Sequence, residues 1–284
     1  MAKKKDLLLE LLTAFFALVC VSPFYLLVIN IGKSSTEIIT DPIGWPEDPG
    51  RLLANVTSVT GHSMFSFWNA LRCSVTITVV SLVLLVMLSS MTAWVIARGR
   101  AWWTRFLFVF FLSAMVIPFQ AVMLPMLSTY RDISDLVGIP LLRSYEGIVL
   151  AYLGFGSSLS VFILHGFIKG IPYELEEAAM IDGSSPEGTF FRIIFPILRP
   201  VQVTVLILNG IWIWNDFLLP SLLLSMNGEI KTLPIAFASF IGTYVKQWDL
   251  ILTAAFLAMI PVVILFIFLQ RYLIKGMVSG AVKG

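Results

Sequence analysis

Few residues of this chain belong to types that do chemistry, and their spacing narrows what that chemistry is. Gly32-Lys33-Ser34 has the form of the end of a phosphate loop, but the glycine such a loop needs five places earlier is replaced by Leu27. His62 and His165 lie far apart and have no second ligand at helical spacing, which disfavours a zinc site. Cys20 and Cys73 form no CxxC and no pairing pattern, so they read as small apolar residues. No nucleophile, base and acid come together near a membrane face, which argues against an enzyme. Two features remain. Asp216 stands in an apolar run beside Trp214, Asn215 and Phe217, where an ionisable group is expensive unless it faces an aqueous path or protein. It reads either as a pathway or inter-subunit residue, with Trp214 and Asn215, or as a carboxylate bonded to neighbouring helices. Trp212, Trp214 and Phe217 are suited to stacking on sugar rings or to core packing. The second feature is an acidic run, Glu174, Glu176 and Glu177, followed by Ala178 and Ala179.

The elements that must position these residues are membrane helices. The 284 residues are 58% hydrophobic and only 13% charged, with a mean hydropathy of +0.92, a balance shifted from soluble domains towards lipid. Six runs are long enough to cross a bilayer as helices, at about 7–31, 70–97, 104–128, 145–168, 201–224 and 250–273. They do not alternate as barrel strands do. Lys3, Lys4 and Lys5 precede the first run, which is too long for a signal peptide and reads as a retained anchor.

With the N-terminus inside, twelve of the 19 basic residues fall on the cytoplasmic side: Lys3, Lys4, Lys5, Arg98, Arg100, Arg105, Lys169, Arg192, Arg199, Arg271, Lys275 and Lys283. The remaining seven fall outside, so both termini are expected in the cytoplasm. A net charge of +2 with scattered basic residues gives no sign of a nucleic-acid partner. Outside, 32–69 is a long turn-rich loop, 129–144 a short polar one, and 225–249 carries a semi-apolar stretch at 233–241 suited to an interfacial or re-entrant helix. Pro118, Pro125 and Pro261 are candidate kinks or static bends.

The cytoplasmic loop at 169–200 is unlike the others. Pro172 is placed to open a helix, the three glutamates suit its positive end, and Ala178 and Ala179 favour helix and leave a low-relief surface. Gly183 is placed to end it in a left-handed turn. Another turn or two is expected between Pro186 and Phe195, before Pro196 and Pro200. A short helix of this kind suits docking into a groove of another protein, or is an ordinary surface linker.

Glu177-Ala178-Ala179, Gly183 and Ile193-Ile194-Phe195-Pro196 resemble the EAA loop of bacterial ABC importer permeases, with Phe195 where that signature has leucine. Pro172–Gly183, Trp214–Leu218, Thr232-Leu233-Pro234, Gln270-Arg271-Tyr272 and Gly276–Gly284 resemble the carbohydrate-uptake, maltose-type branch. The resemblance covers most of 70–284 and is weaker before it.

It implies an all-α membrane protein of the type I ABC importer permease fold, a single domain over 1–284 with six transmembrane helices and a cytoplasmic coupling helix. It also implies a bacterial inner-membrane location, two ATPase subunits carrying ATP and Mg, a second permease making a heterodimer, and a solute-binding protein. By position, Glu177, Ala178, Ala179, Asp182, Gly183 and Pro196 would couple to the ATPase. The 276–284 tail, with Lys283, would reach the ATPase interface, and the third outer loop would meet the binding protein. The chain itself would bind no cofactor. The solute expected is a sugar, oligosaccharide or related compound. An amino acid or peptide is the alternative, and a secondary transporter is disfavoured because neither internal repeats nor several intramembrane charges are evident.

Overall fold

The computed structural model describes residues 2–63, 65–225, 228–243 and 247–281, and every regular element among them is helical. In chain order these are α1 (Ala2–Asn30), α2 (Ser35–Thr40), α3 (Arg51–Thr60), α4 (Phe67–Arg98), α5 (Trp102–Ala114), α6 (Phe119–Val137), α7 (Tyr145–Ile168), α8 (Glu174–Ile181), α9 (Pro186–Thr189), a π-helical segment (Phe190–Ile194), α10 (Phe195–Ile197), α11 (Arg199–Asn215), α12 (Leu218–Leu223), α13 (Leu233–Thr243) and α14 (Trp248–Ala281). Among the described residues, four helices are long and apolar enough to cross a membrane unbroken: Leu9–Asn30, Phe67–Arg98, Tyr145–Ile168 and Trp248–Phe268. Two bent pairs raise the number to six if each is one span.

Those pairs correct two expected spans. In place of one helix over 104–128, Trp102–Ala114 and Phe119–Val137 meet at 108°. The break is at Pro118, which lacks an N–H and disfavours helical backbone at Ile117 before it. Pro118 is the extended N-cap of α6. Pro125 and Pro261 lie inside continuous helices. The polar loop expected at 129–144 is correspondingly short, because α6 continues to Val137 and ends at Gly138 with φ +74°. The run expected over 201–224 ends at Asn215; Asp216 is extended, with ψ 125°, and α12 is separate. Pro186–Ile197 and Arg199–Asn215 meet at 73°. There Pro196 and Pro200 remove two backbone donors, and Gln202 Nε2 donates to the Phe195 carbonyl at 3.2 Å.

The chain forms two compact units. The first comprises Met1–Ala70 and Ala236–Pro261. The loop expected to be turn-rich contains α2 and α3. Ser34 and Glu37 form a reciprocal capping box at the start of α2. Lys33 is fully buried and donates to the Asp41 carbonyl at 2.6 Å, while Asn55 Nδ2 donates to the Ile31 and Lys33 carbonyls. Gly32-Lys33-Ser34 is thus a structural corner.

The second unit comprises Leu71–Ile235 and Val262–Gly284. α4 and α7 run parallel in it: Cys73 Sγ meets Tyr145 Oη at 3.1 Å at their first ends, and Arg98 Nη2 donates to the Ile171 carbonyl at 2.9 Å beyond their last. Parallel neighbours joined through an intervening pair are what alternating membrane crossings require. One apolar core gathers Ile77, Leu85, Ile148, Tyr152 and Leu219; the other gathers Ala93, Leu164, Ile168, Phe190 and Leu198. The expected stretch at 233–241 is α13, and Ser74 Oγ accepts from the Leu233 N–H at 2.8 Å.

Candidate functional site

Helix α8 has two faces set by its residue order. Glu176 and Ala179, one turn apart, are buried at 1% and 6% exposure. Glu177, Ala178, Asp182 and Gly183 are exposed, as are the large apolar Leu175, Met180 and Ile181, the last at 86%. Apolar residues of that size on an eight-residue helix make a surface that gains by being covered.

The buried face is fixed by charge. Arg98, the last residue of α4, donates from Nε to Glu176 Oε1 at 2.8 Å, and Trp94 Nε1 donates to Oε2 at 3.1 Å. The Arg98 guanidinium also lies 5.6 Å from the centre of the Tyr173 ring. A buried carboxylate is tolerated when both oxygens are satisfied and a cation faces it, and both conditions hold. The end of α8 is fixed by backbone geometry. Gly183 has φ +81°, Ser184 N–H donates to the Ala179 carbonyl at 2.9 Å, and Gly183 N–H donates to that of Met180 at 3.0 Å. This pair of bonds around a left-handed glycine is the Schellman arrangement.

Beyond it Ser185 caps α9, accepting from Gly188 N–H at 3.1 Å, and Phe190–Ile194 follows as a π-helix closed by the Phe195 N–H on the Phe190 carbonyl. Pro196 is exposed in the first turn of α10. The buried Phe190 packs against Trp94, with ring centres 5.4 Å apart, so the whole loop rests on the end of α4.

Asp216 lies elsewhere in the same unit, at the break between α11 and α12. Tyr152 Oη donates to its Oδ2 at 3.1 Å, and the Leu218 and Leu219 N–H groups donate to its Oδ1 at 3.0 and 3.4 Å. It therefore caps α12 and ties it to α7, the bonded arrangement that its sequence context allowed. Asn215 Nδ2 donates to the Ile211 carbonyl at 2.8 Å, and Trp214 is half-buried. Trp212 packs edge-on against Tyr152 at 5.4 Å. Asp216 and α8 make no common cluster.

Of the residues expected to couple, Glu177, Ala178, Asp182, Gly183 and Pro196 are exposed, whereas Ala179 is buried because it shares a helix face with Glu176, a residue expected only as a favourable charge at a helix start. The available signal was spacing: Glu176 shares a face with Ala179, and Arg98 is the first cation after a long apolar run. Lys283 lies outside the described residues.

A family model described as "Binding-protein-dependent transport system inner membrane component" matches residues 85–279, a range that contains the whole of α8 and its supporting loop. The chain belongs to this family. Among curated relatives of this inner-membrane component, the "Probable starch degradation products transport system permease protein AmyC" of Thermoanaerobacterium thermosulfurigenes is 37% identical over 97% of this chain and 96% of that one. The "Melibiose/raffinose/stachyose import permease protein MelC" of Bacillus subtilis is 32% identical over 98% and 96%. The "Arabinooligosaccharides transport system permease protein AraQ" of Halalkalibacterium halodurans is 32% identical over 95% and 94%. In fold, the inner-membrane component is similar to a chain from the crystal structure of a bacterial ABC transporter involved in import of the acidic polysaccharide alginate, with TM-score 0.80 and 19% identity over 95% and 96% of the two chains.

Proposed function

We infer that this inner-membrane component is one permease subunit of an ATP-driven importer for a sugar or oligosaccharide, and that α8 is the helix through which an ATPase subunit moves it. The observation that carries the coupling role is the division of α8 into a face locked to α4 by Arg98 and a face left open. A force applied to Leu175, Ala178 and Ile181 passes through Glu176 into a transmembrane helix without passing through a flexible linker. Glu177 and Asp182 offer carboxylates to donors on the partner, Ala178 allows close approach, and Gly183 and Pro196 hold the following turns.

The sugar assignment rests on the three relatives, whose names specify starch products, melibiose-type oligosaccharides and arabinooligosaccharides. The distribution of Lys and Arg supports cytoplasmic termini and, with them, a cytoplasmic α8. ATP and Mg belong to two ATPase subunits, a second permease completes the pathway, and a solute-binding protein delivers the cargo. ATP and loaded binding protein both shift one balance between two arrangements. Asp216, with Trp214 and Asn215, shapes the wall of that pathway by holding α12 on α7.

Uptake of a labelled sugar panel by a strain lacking the chain tests the assignment. Loss of uptake of one oligosaccharide class, restored by the wild-type chain and not by Gly183→Pro, is expected. Unchanged uptake of every sugar, with loss of amino-acid or peptide uptake, would transfer the assignment to the other solute class.

A further inference from the structure

The second unit carries a cavity of about 370 Å³ at the ends of three of its helices, with no residue of α8 in its lining. It is lined by Gly99, Arg100, Ala101, Thr104, Arg105 and Phe108 from the α4–α5 corner and by His165 and Lys169 from the end of α7, among others. Arg100, Arg105 and Lys169 are exposed and, among the described residues, none has a carboxylate within ion-pair distance. Arg98, two residues away, is different because Glu176 neutralises it. Among the described residues no aspartate or glutamate lines the cavity, and the chain has none between Asp48 and Asp132. His165 is 6% exposed, is stacked on Phe108 with ring centres 4.0 Å apart, and makes no side-chain hydrogen bond among the described residues.

The corner is built to hold its shape. Thr104 Oγ1 donates to the Gly99 and Ala101 carbonyls at 3.1 and 2.8 Å, and a Cβ on Gly99 would collide with the Thr104 side chain. Three cations without ion-pair partners and an imidazole without a side-chain hydrogen bond, gathered around one cavity at the N-terminal end of α5, describe an anion site. The surroundings indicate which anion. Trp102 and Trp103 are 80% and 44% exposed beside the cavity, followed by Phe106 at 60%. Exposed tryptophans next to cations, where apolar helices end, are the composition of a membrane–water interface.

We propose that this cavity binds the phosphate of an anionic glycerophospholipid, with Arg100, Arg105 and Lys169 holding the headgroup and Trp102, Trp103 and Phe106 bordering its acyl chains. Basic pockets between helix ends are a recurrent form of headgroup site, and cations near a lipid surface favour anionic headgroups. The proposal rests on the membrane reading of the chain but not on its solute or its coupling helix, so lipid retention and transport fail independently.

The full-length permease, alone and with the subunits that co-purify with it, is placed in bilayers of equal phosphatidylcholine and phosphatidylglycerol, and retained lipids are counted by native mass spectrometry. Retention of phosphatidylglycerol about tenfold above phosphatidylcholine is expected. R100Q/R105Q/K169Q is expected to bring the ratio near one, whereas R192Q/R199Q, removing exposed cations elsewhere, keeps it. R100K/R105K keeps the preference if charge is what matters; its loss there would show that the fold of the corner is being measured and would overturn the proposal. No preference in the wild type, or a preference surviving in the triple variant, would overturn it. So would displacement by millimolar glycerol 3-phosphate, which marks a site for soluble phosphates, or a preference seen only without the partner subunits.

Discussion

Glu176 and Asp216 are both carboxylates in the same apolar unit, and they are satisfied in opposite ways. Glu176 faces a cation from a distant helix and the indole N–H of Trp94, while its own backbone neighbours leave it alone. Asp216 takes two of its three bonds from the backbone of the next turn and one from a neutral phenol. The first arrangement links: it ties the short helix α8 to the long apolar helix α4 through one strong contact. The second arrangement shapes: it starts a short helix and fixes its angle. A charge met by a remote charge and a charge met by local donors have different consequences when removed.

The sharpest break in that contrast is Glu176→Ala. It leaves the Arg98 guanidinium, which is 18% exposed, without its partner, and breaking such a pair costs several kcal/mol when fully buried, reduced here to about 2–3 by the solvent that reaches Arg98. Solute-stimulated ATP hydrolysis should fall to the unstimulated rate while the protein still inserts, and a thermal-shift assay should show the destabilisation.

Ala179→Leu comes next. Its site is 6% exposed, so overpacking should destabilise the permease by about 1–3 kcal/mol. Ala178→Leu, one residue away on the open face, should leave permease stability within about 0.5 kcal/mol yet weaken recovery of the ATPase in pull-downs. Equal destabilisation by the two would remove the distinction between the faces. Gly183→Ala forces a side chain into left-handed backbone, an expected loss of about 1–2 kcal/mol seen in the same thermal assay.

The smallest effect is expected at the second carboxylate. Asp216→Asn retains an acceptor oxygen for the Leu218 N–H, so transport should fall less than about threefold, whereas Asp216→Ala loses the cap at about 1 kcal/mol. A complete loss of uptake in Asp216→Asn, with the protein stable, would give Asp216 a direct part in the pathway that its bonding does not require.

These contrasts mark how far the sequence could be read. The start and stop of α8 were legible because Pro172, the glutamates and Gly183 act through local backbone chemistry. So was the helix expected at 233–241 from its semi-apolar run, which is observed over Leu233–Thr243. The break at Pro118 was not, because Pro118, Pro125 and Pro261 look alike in sequence and only packing decides which proline ends a helix. Asp216 was placed inside a span because hydropathy does not detect a single extended residue between two apolar helices. The Arg98–Glu176 pair joins residues 78 positions apart, a separation at which one sequence carries no pairing information. Lys33 is fully buried although it falls in a loop outside the apolar runs, and the Asp41 carbonyl that holds it is a property of the folded corner.

The central claim is that the open face of α8 lies inside the cell and is covered by the ATPase. A single cysteine at Ile181, with Cys20 and Cys73 replaced by serine, can be reacted with a membrane-impermeant maleimide. Labelling in inverted vesicles stripped of the ATPase, protection when the ATPase is restored, and no labelling in intact spheroplasts are the predicted results. Labelling from outside intact spheroplasts, or equal labelling with and without the ATPase, would contradict the account.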